Sequence, residues 1–445
     1  DWETSLSVQN DLKYLYAEPS PPPDMKSSVI VAVVIIVIAI LGAGVYALTL
    51  SGTASTTSNT SQTTTTTSGS CAPYSIGIME DETGAVASFA NESIHMAQIA
   101  VNQIDVAGGV NCHQLKLYTA SEVPSASAAA NTLVLQDNVS ALVGITYAGD
   151  AEALFPFLSS HHVITIMATA SNNGLLQNLT TDYSAYQYFF RITPTDTEMA
   201  QNVINFTKSV IKPSSFYFVA EDLDFSHELF TNMSNFASTA GITVAGSTFV
   251  PLSQTDFTTT ASTVAAANPG LVIDCQTGSG AGSFIQDLKA DSPNIKVLYM
   301  CNGALADPGF QGYLESTDHT LLNGVVFQIE AGTATIPVNN VTSYLSTQYT
   351  SVMGPFYPYY SFVSNDYSAV IDLAASLKSA GTMTNTTAII SALTTVSTVG
   401  PTGTIQLNSS QHIWTPDFWY TQIQNGTEKV ITPGAFSNGS YNATA

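Results

Sequence analysis

Four cysteines (Cys71, Cys112, Cys275, Cys301) and seven histidines are the residues best equipped for metal or nucleophilic chemistry in this chain. Their spacing excludes most of it. No CxxC pair and no clustered Cys/His spacing offers the tetrahedral ligand set of a zinc site. No GxSxG elbow or HExxH helix occurs, the histidines are scattered, and nothing assembles a nucleophile with a base. Gly278-Ser279-Gly280-Ala281-Gly282 follows an apolar run, the place of a phosphate loop. Its spacing is neither GxGxxG nor GxxxxGK[ST], and no Lys follows, so it reads as a flexible loop. His161-His162 reads as an exposed turn, and the aromatic run at 356–360 (FYPYY) as packing or the rim of a cleft. An enzyme is not expected, nor a metal or a cofactor. The cysteines are left as disulfides or as buried free thiols.

Choosing between those two requires the elements that carry the cysteines. From residue 74 onward, short β-branched or aromatic runs alternate with stretches of helical apolar spacing such as 95–106 and 199–210. Strand-like runs fall at 74–79, 115–119, 141–144, 163–167 and 188–192, then again at 215–220, 242–250, 271–275, 297–301 and 324–329. Strands alternating with helices make parallel sheets of βαβ units, and two successive sets of five predict two similar lobes. In a doubly wound sheet of order 2-1-3-4-5 the first two strands are parallel neighbours. Cys71 and Cys112 each lie three residues before one of them, hence at the same end. Cys275 and Cys301 end the third and fourth strands of the second set, also neighbours. Disulfides 71–112 and 275–301 are the expected pairs, in keeping with an oxidising exterior.

Charge narrows the partners. Lys and Arg number 10 against 33 Asp and Glu, a formal charge of −23 over 445 residues, with only 10% of residues charged and 45% hydrophobic. Nucleic acid and anionic lipid headgroups both require basic patches, so neither is expected as a partner. A solvated acidic surface accounts for the charge and is the reading we favour. Adaptation to an acidic exterior, where carboxylates are partly neutralised, also accounts for it.

Residues 1–28 carry a Pro-rich stretch at 19–23 and read as an unstructured, cytoplasmic segment, in which 1–24 is an upstream extension ahead of Met25 or a mis-assigned start. Residues 29–50 hold no charge, long enough to span a hydrocarbon core of ~30 Å. A retained transmembrane anchor is favoured over a cleaved signal, whose apolar region is usually ~7–15 residues. Lys13 and Lys26 precede this run, which places everything after it outside the cell. Residues 51–70 form a Ser/Thr tract with nothing to bury, a stalk. Asn59, Asn91, Asn138, Asn178, Asn205, Asn232, Asn340, Asn385, Asn408, Asn425, Asn438 and Asn442 each begin Asn-x-Ser/Thr, a density that favours a glycosylated surface protein.

The segment IGIMEDETGAVASFANESIHMAQIAVNQIDVAGGVNCHQLKLYTA resembles the opening of the leucine/isoleucine/valine-type periplasmic binding proteins, the substrate-binding proteins of ABC transporters. ALVGITYAG, VITIMATASN, YFFRITPTDTEMAQ, AANPGLVI, GPTGTIQLN and FWYTQIQNG follow in the family's order, so the resemblance covers roughly 74–430. It implies an α/β fold of two doubly wound Rossmann-like lobes joined by three hinge strands, preceded here by one transmembrane helix. Lobe 1 is expected at 71–192 plus 328–411, lobe 2 at 193–327 plus 412–430, and a tail at 431–445. Hinges are placed at 191–193, 327–329 and 411–415. The ligand is then expected in the cleft, outside the carboxyl ends of the strands.

By the same resemblance, Tyr147, Ala148 and Gly149 follow the third strand, where backbone N–H groups at a helix start hold the ligand's carboxylate. The family commonly has a Ser where Ala148 stands, so one hydrogen bond is missing. Thr169 and Ser171 correspond to contacts to the ligand's amino and carboxylate groups, and Ser171 also suits a helix cap. Phe89 and Phe225 take the places of ring-bearing residues that cover the ligand, without a phenol hydroxyl; both also suit an ordinary core. Gln276 and Asn302 stand near where the second lobe commonly supplies a Tyr and an acidic partner for the ammonium. A neutral amide can bond an ammonium but not neutralise it, and Asp150 and Asp224 are the available substitutes. The expectation is therefore a membrane-anchored, extracellular solute-binding protein that captures a small polar ligand (an amino acid, an amide or a related compound) and delivers it to an ABC permease. A ligand-sensing receptor ectodomain and a structural glycoprotein with a degenerate cleft are the alternatives.

Overall fold

The computed structural model describes residues 71–171, 173–276, 280–301, 322–330, 338–353, 361–435 and 437–444. The anchor and stalk segments at 29–50 and 51–70, the aromatic run at 356–360 and Asn302 lie outside them. Among the described residues no helix is long and apolar enough to cross a membrane.

Five parallel strands make the first sheet: β1 (Tyr74–Glu80), β2 (Leu115–Ser121), β3 (Ala141–Gly144), β4 (Ile164–Met167) and β5 (Phe189–Arg191), in the order β2-β1-β3-β4-β5. The period of two divides their side chains between two faces. Ile76, Ile78, Val143, Ile164 and Ile166 pack with the helices Ala87–Val106 and Asn365–Ala380, while Met79, Leu142, Val163 and Met167 pack with Ala148–Ser160 on the other side. Both faces are covered, which is why these strands read as continuous apolar runs.

The second sheet repeats this order and extends it. β6 (Ser215–Glu221), β7 (Thr243–Val250), β8 (Val272–Cys275), β9 (Val297–Tyr299) and β10 (Val326–Glu330) are parallel in the order β7-β6-β8-β9-β10. After a small hairpin of β11 (Thr398–Gly400) and β12 (Gly403–Ile405), β13 (Phe418–Gln424) pairs antiparallel to β10, and β14 (Thr427–Thr432) closes the edge. Residues 431 and 432, the start of the expected tail, are thus part of a sheet. Helices Asp196–Phe206 and Asp224–Ala240 cover one face, Thr258–Ala267 and Gly280–Asp291 the other.

The chain passes between the lobes three times. After β5 it enters the helix Asp196–Phe206, held by a capping box in which Thr195 accepts from the Glu198 N–H and Glu198 accepts from the Thr195 N–H. After β10 it returns to the first core with the helices Asn340–Met353, Asn365–Ala380 and Thr386–Leu393. The third passage runs beside the first: the Arg191 N–H donates to His412 O at 2.9 Å and the Trp414 N–H to Arg191 O at 3.0 Å.

Both expected disulfides are formed, Cys71–Cys112 with Cα atoms 5.7 Å apart and Cys275–Cys301 with 4.6 Å. The first ties the amino ends of β1 and β2; the second ties the carboxyl ends of β8 and β9.

Candidate functional site

The carboxyl ends of the two sheets face each other across a cavity of about 310 Å³, at the lower end of the size of small-molecule pockets. The loop after β3 shapes its first-lobe wall. Gly144 ends β3 at φ +98°, and a Cβ there would stand 2.6 Å from Glu80 Oε1 and 2.8 Å from Met79 O. Ile145, β-branched and buried, follows at φ 67°. That conformation is strained for such a side chain. It turns the chain sharply, so that Thr146, Tyr147, Ala148, Gly149 and Asp150 line the cavity at the start of the helix Ala148–Ser160.

Behind this wall lies a layer of buried carboxyl groups. Glu80, Asp81, Glu122 and Asp366 are each 2% exposed or less. Thr146 Oγ1 donates to Glu80 Oε2, and Thr169 Oγ1 donates to Glu80 Oε1 at 3.0 Å. The Thr146 N–H donates to Glu122 Oε1 at 2.9 Å, and Tyr147 Oη donates to Asp81 Oδ2 at 2.7 Å. Burial pushes the carboxyls up: Glu122 to about 8, Asp366 to about 7, and Glu80 well above its usual range, with Asp366 and Glu122 adding repulsion. Burial also raises Asp150 and the Tyr147 phenol.

The second lobe contributes Leu223, Asp224 and Phe225 after β6, Met300 and Cys301 after β9, Gln328 and Glu330 on β10, and Phe418 at the start of β13. Glu330 is buried, accepts from Asn365 Nδ2 at 3.2 Å, and is pushed up to about 8 by burial. Asp224 comes close to the first lobe: a Cβ on Gly149 would lie 3.2 Å from Asp224 Oδ2.

The cavity gathers Phe89, Tyr147, Ala148, Gly149, Thr169, Ser171 and Phe225, together with the substitutes Asp150 and Asp224. Phe89 and Phe225 pack into their lobes' cores and line the cavity as well. Ser171 Oγ reaches Pro194 O at 3.0 Å and also Asp196 Oδ1, joining the end of β4 to the first passage. Gln276 is not part of the lining. It is 1% exposed, and its Nε2 donates inward to Asp274 Oδ1 at 3.1 Å, because the buried Asp274 takes the nearest donor. Glu330 was missed, although a carboxylate closing an apolar run at a strand's carboxyl end is a legible signal. Thr146, Thr193, Pro194, Met199, Met300, Gln328 and Phe418 also line the cavity; none was singled out from the sequence as a site residue.

Among solved structures, this fold is similar to the branched-chain amino acid transporter substrate-binding protein LivJ of Streptococcus pneumoniae in complex with isoleucine. The two are 18% identical with a TM-score of 0.69, over 81% of this chain and 100% of that one. A leucine-binding protein, LivK, of Thermotoga maritima is 16% identical with a TM-score of 0.69, over 81% and 98% of the two chains. An ABC-transporter solute-binding protein of R. palustris in complex with benzoate is 15% identical with a TM-score of 0.68, over 83% and 98%. No curated protein matches the sequence. These likenesses show the fold, that of the type I periplasmic binding proteins. The sequence profile of the periplasmic binding proteins matches residues 73–428, nearly all of the two lobes, and this chain belongs to that family of solute-binding proteins, which are not enzymes.

Proposed function

We propose that this chain is an extracytoplasmic solute-binding protein that closes its two lobes on a small ligand of the amino-acid, amide or related class and delivers it to an ABC permease. The observation that carries this reading is the composition of the cavity wall. Apolar walls from Phe89, Tyr147, Met199, Phe225, Met300 and Phe418 surround a few polar groups, and both lobes contribute. A pocket so divided can be completed only by closure, which couples occupancy to a shape that a membrane partner can read. The similar proteins solved with isoleucine and with benzoate support a ligand of comparable size.

In this reading Phe89, Phe225 and Tyr147 cover the ligand, and Ala148, Gly149, Thr169 and Ser171 orient its polar end. The apolar run at 29–50 tethers the chain, the Ser/Thr tract at 51–70 is its stalk, and the exposed sequon asparagines carry glycans. The two parallel passages at Arg191 and Ile413, with β10, are the hinge.

A thermal-shift screen of the full chain against amino acids, amides, short peptides and sugars tests the proposal. A ligand at 100 times its Kd adds about 2.7 kcal/mol of stability, a readily visible shift. Absence of stabilisation across the whole panel would overturn solute capture.

A further inference from the structure

The acid–base side chains that line the cavity are of one kind, carboxylic acids. Asp150, Asp224 and Glu330 line it, and among the described residues no Lys, Arg or His does. Lys116, Lys208, Lys212, Lys289, Lys296, Lys378 and Lys429 all lie elsewhere in the folded part, and beyond residue 70 the segments outside the described residues contain no Lys or Arg. Arg191, at the first passage, is buried beside Asp196, Glu198 and Glu228 and does not reach the cavity.

The hydroxyl protons point the same way. Thr146, Tyr147, Thr169 and Ser171 line the first-lobe wall, and each donates to the protein itself: to Glu80, Asp81, Glu80, and Pro194 or Asp196. What they can offer the cavity is lone pairs. The Thr146 N–H beside them is taken by Glu122. From the second lobe, Gln328 is 1% exposed and lines the cavity. Its Nε2 donates to Tyr420 Oη at 2.9 Å, while its Oε1 has no partner among the described residues. A buried acceptor without a donor costs free energy until a ligand supplies one. Rings of Phe89, Tyr147, Phe225 and Phe418 complete the wall, and aromatic faces attract cations.

We propose that the ligand is a small organic cation, an amine or amidine with an apolar body and no carboxylate, whose nitrogen donates to Gln328 Oε1 and the lining hydroxyls and is neutralised by Glu330 and Asp150. This rests on the solute-binding reading above and narrows its ligand class. A carboxylate would meet three acids and no cationic side chain among the described residues, and the hydroxyl protons of Thr146, Tyr147, Thr169 and Ser171 are already engaged.

The test uses the full chain and three series with matched skeletons: isoamylamine and phenethylamine, the alcohols that replace the amine by hydroxyl, and the corresponding carboxylates. Melting temperature and calorimetric Kd are read for each. At least one amine is expected to bind, at least about tenfold tighter than its alcohol, with no binding of its carboxylate. Glu330→Gln is expected to weaken the amine about tenfold more than it weakens the alcohol. Should that variant fold poorly, the half-exposed Asp150→Asn gives the same reading. A carboxylate or alcohol that binds as well as its amine overturns the cation assignment and leaves solute capture standing. No binding in any series overturns the cation assignment, while solute capture is decided by the wider thermal-shift screen.

Discussion

Asn173 Nδ2 donates to Glu228 Oε1 across 2.7 Å, joining the helix Asn173–Thr181 of the first lobe to the helix Asp224–Ala240 of the second. The same nitrogen lies 2.9 Å from Thr197 Oγ1, so one amide meets both the first passage and the far lobe. Neither end belongs to the cavity lining. The bond therefore reports on closure without touching the ligand.

Asn173→Ala removes this link from a half-buried surface position. A charge-assisted bond in such a place is worth about 1 kcal/mol after solvent screening. The expected outcome is a roughly fivefold faster ligand release with an unchanged association rate, read by stopped-flow fluorescence. Unchanged release would show that the bond does not hold the closed form.

Stability should fall as pH rises. Glu80, Glu122, Glu330, Asp366 and Asp372 all have folded-state pKa values above their ordinary ones, Glu122 and Glu330 at about 8, Asp366 and Asp372 at about 7. A carboxyl raised by folding binds more protons in the folded than in the unfolded chain. Its contribution is whole below the unfolded pKa near 4 and is lost as pH rises through the folded value. Each such group contributes a slope of about 1.4 kcal/mol per pH unit within its window. His412, lowered by burial, opposes this below about pH 6.5, but it is one group against five. The melting temperature should be higher at pH 5 than at pH 8, and the reverse order would show that these carboxyls are paired or hydrated. The outcome also bears on the overall charge, since a fold that prefers protonated carboxyls suits an acidic exterior.

The two disulfides should separate by function. Loops of 41 and 26 residues correspond to about 4 and about 3.5 kcal/mol of lost unfolded-state entropy. Cys71→Ser and Cys275→Ser should therefore lower stability by comparable amounts. Only the second changes the cavity wall, because Cys301 lines it. Ligand affinity should survive Cys71→Ser and fall in Cys275→Ser. Equal affinity in both would place Cys301 outside the binding surface.

What could be read from the sequence divides along a physical line. Strand order and disulfide pairing follow from apolar runs and from the ends at which the cysteines stand, because a sheet covered on both faces leaves few registers open. The loops after β3 and β4 were legible through the ALVGITYAG and VITIMATASN segments. Side-chain direction was not. Gln276 and Thr146 both follow strands, yet one turns inward to Asp274 and the other faces the cavity, a choice made by buried neighbours that lie far away in sequence. Glu80, Glu122 and Asp366 form a layer only once β1, β2 and the helix Asn365–Ala380 are packed together, so no local pattern announces it.

Gly144 is the position at which that layer and the cavity loop meet. Alanine there must adopt φ +98° and place its Cβ 2.6 Å from Glu80 Oε1 and 2.8 Å from the Met79 carbonyl. The side-chain oxygen can move; the backbone carbonyl cannot, because the Ile145 N–H donates to it. The strain and the clash together should cost on the order of 3 kcal/mol. Chemical denaturation of Gly144→Ala should show this loss, and the folded fraction should bind ligand more weakly because Thr146 and Tyr147 are re-aimed. If stability fell while affinity held, the turn would be a packing device and not the element that sets the site.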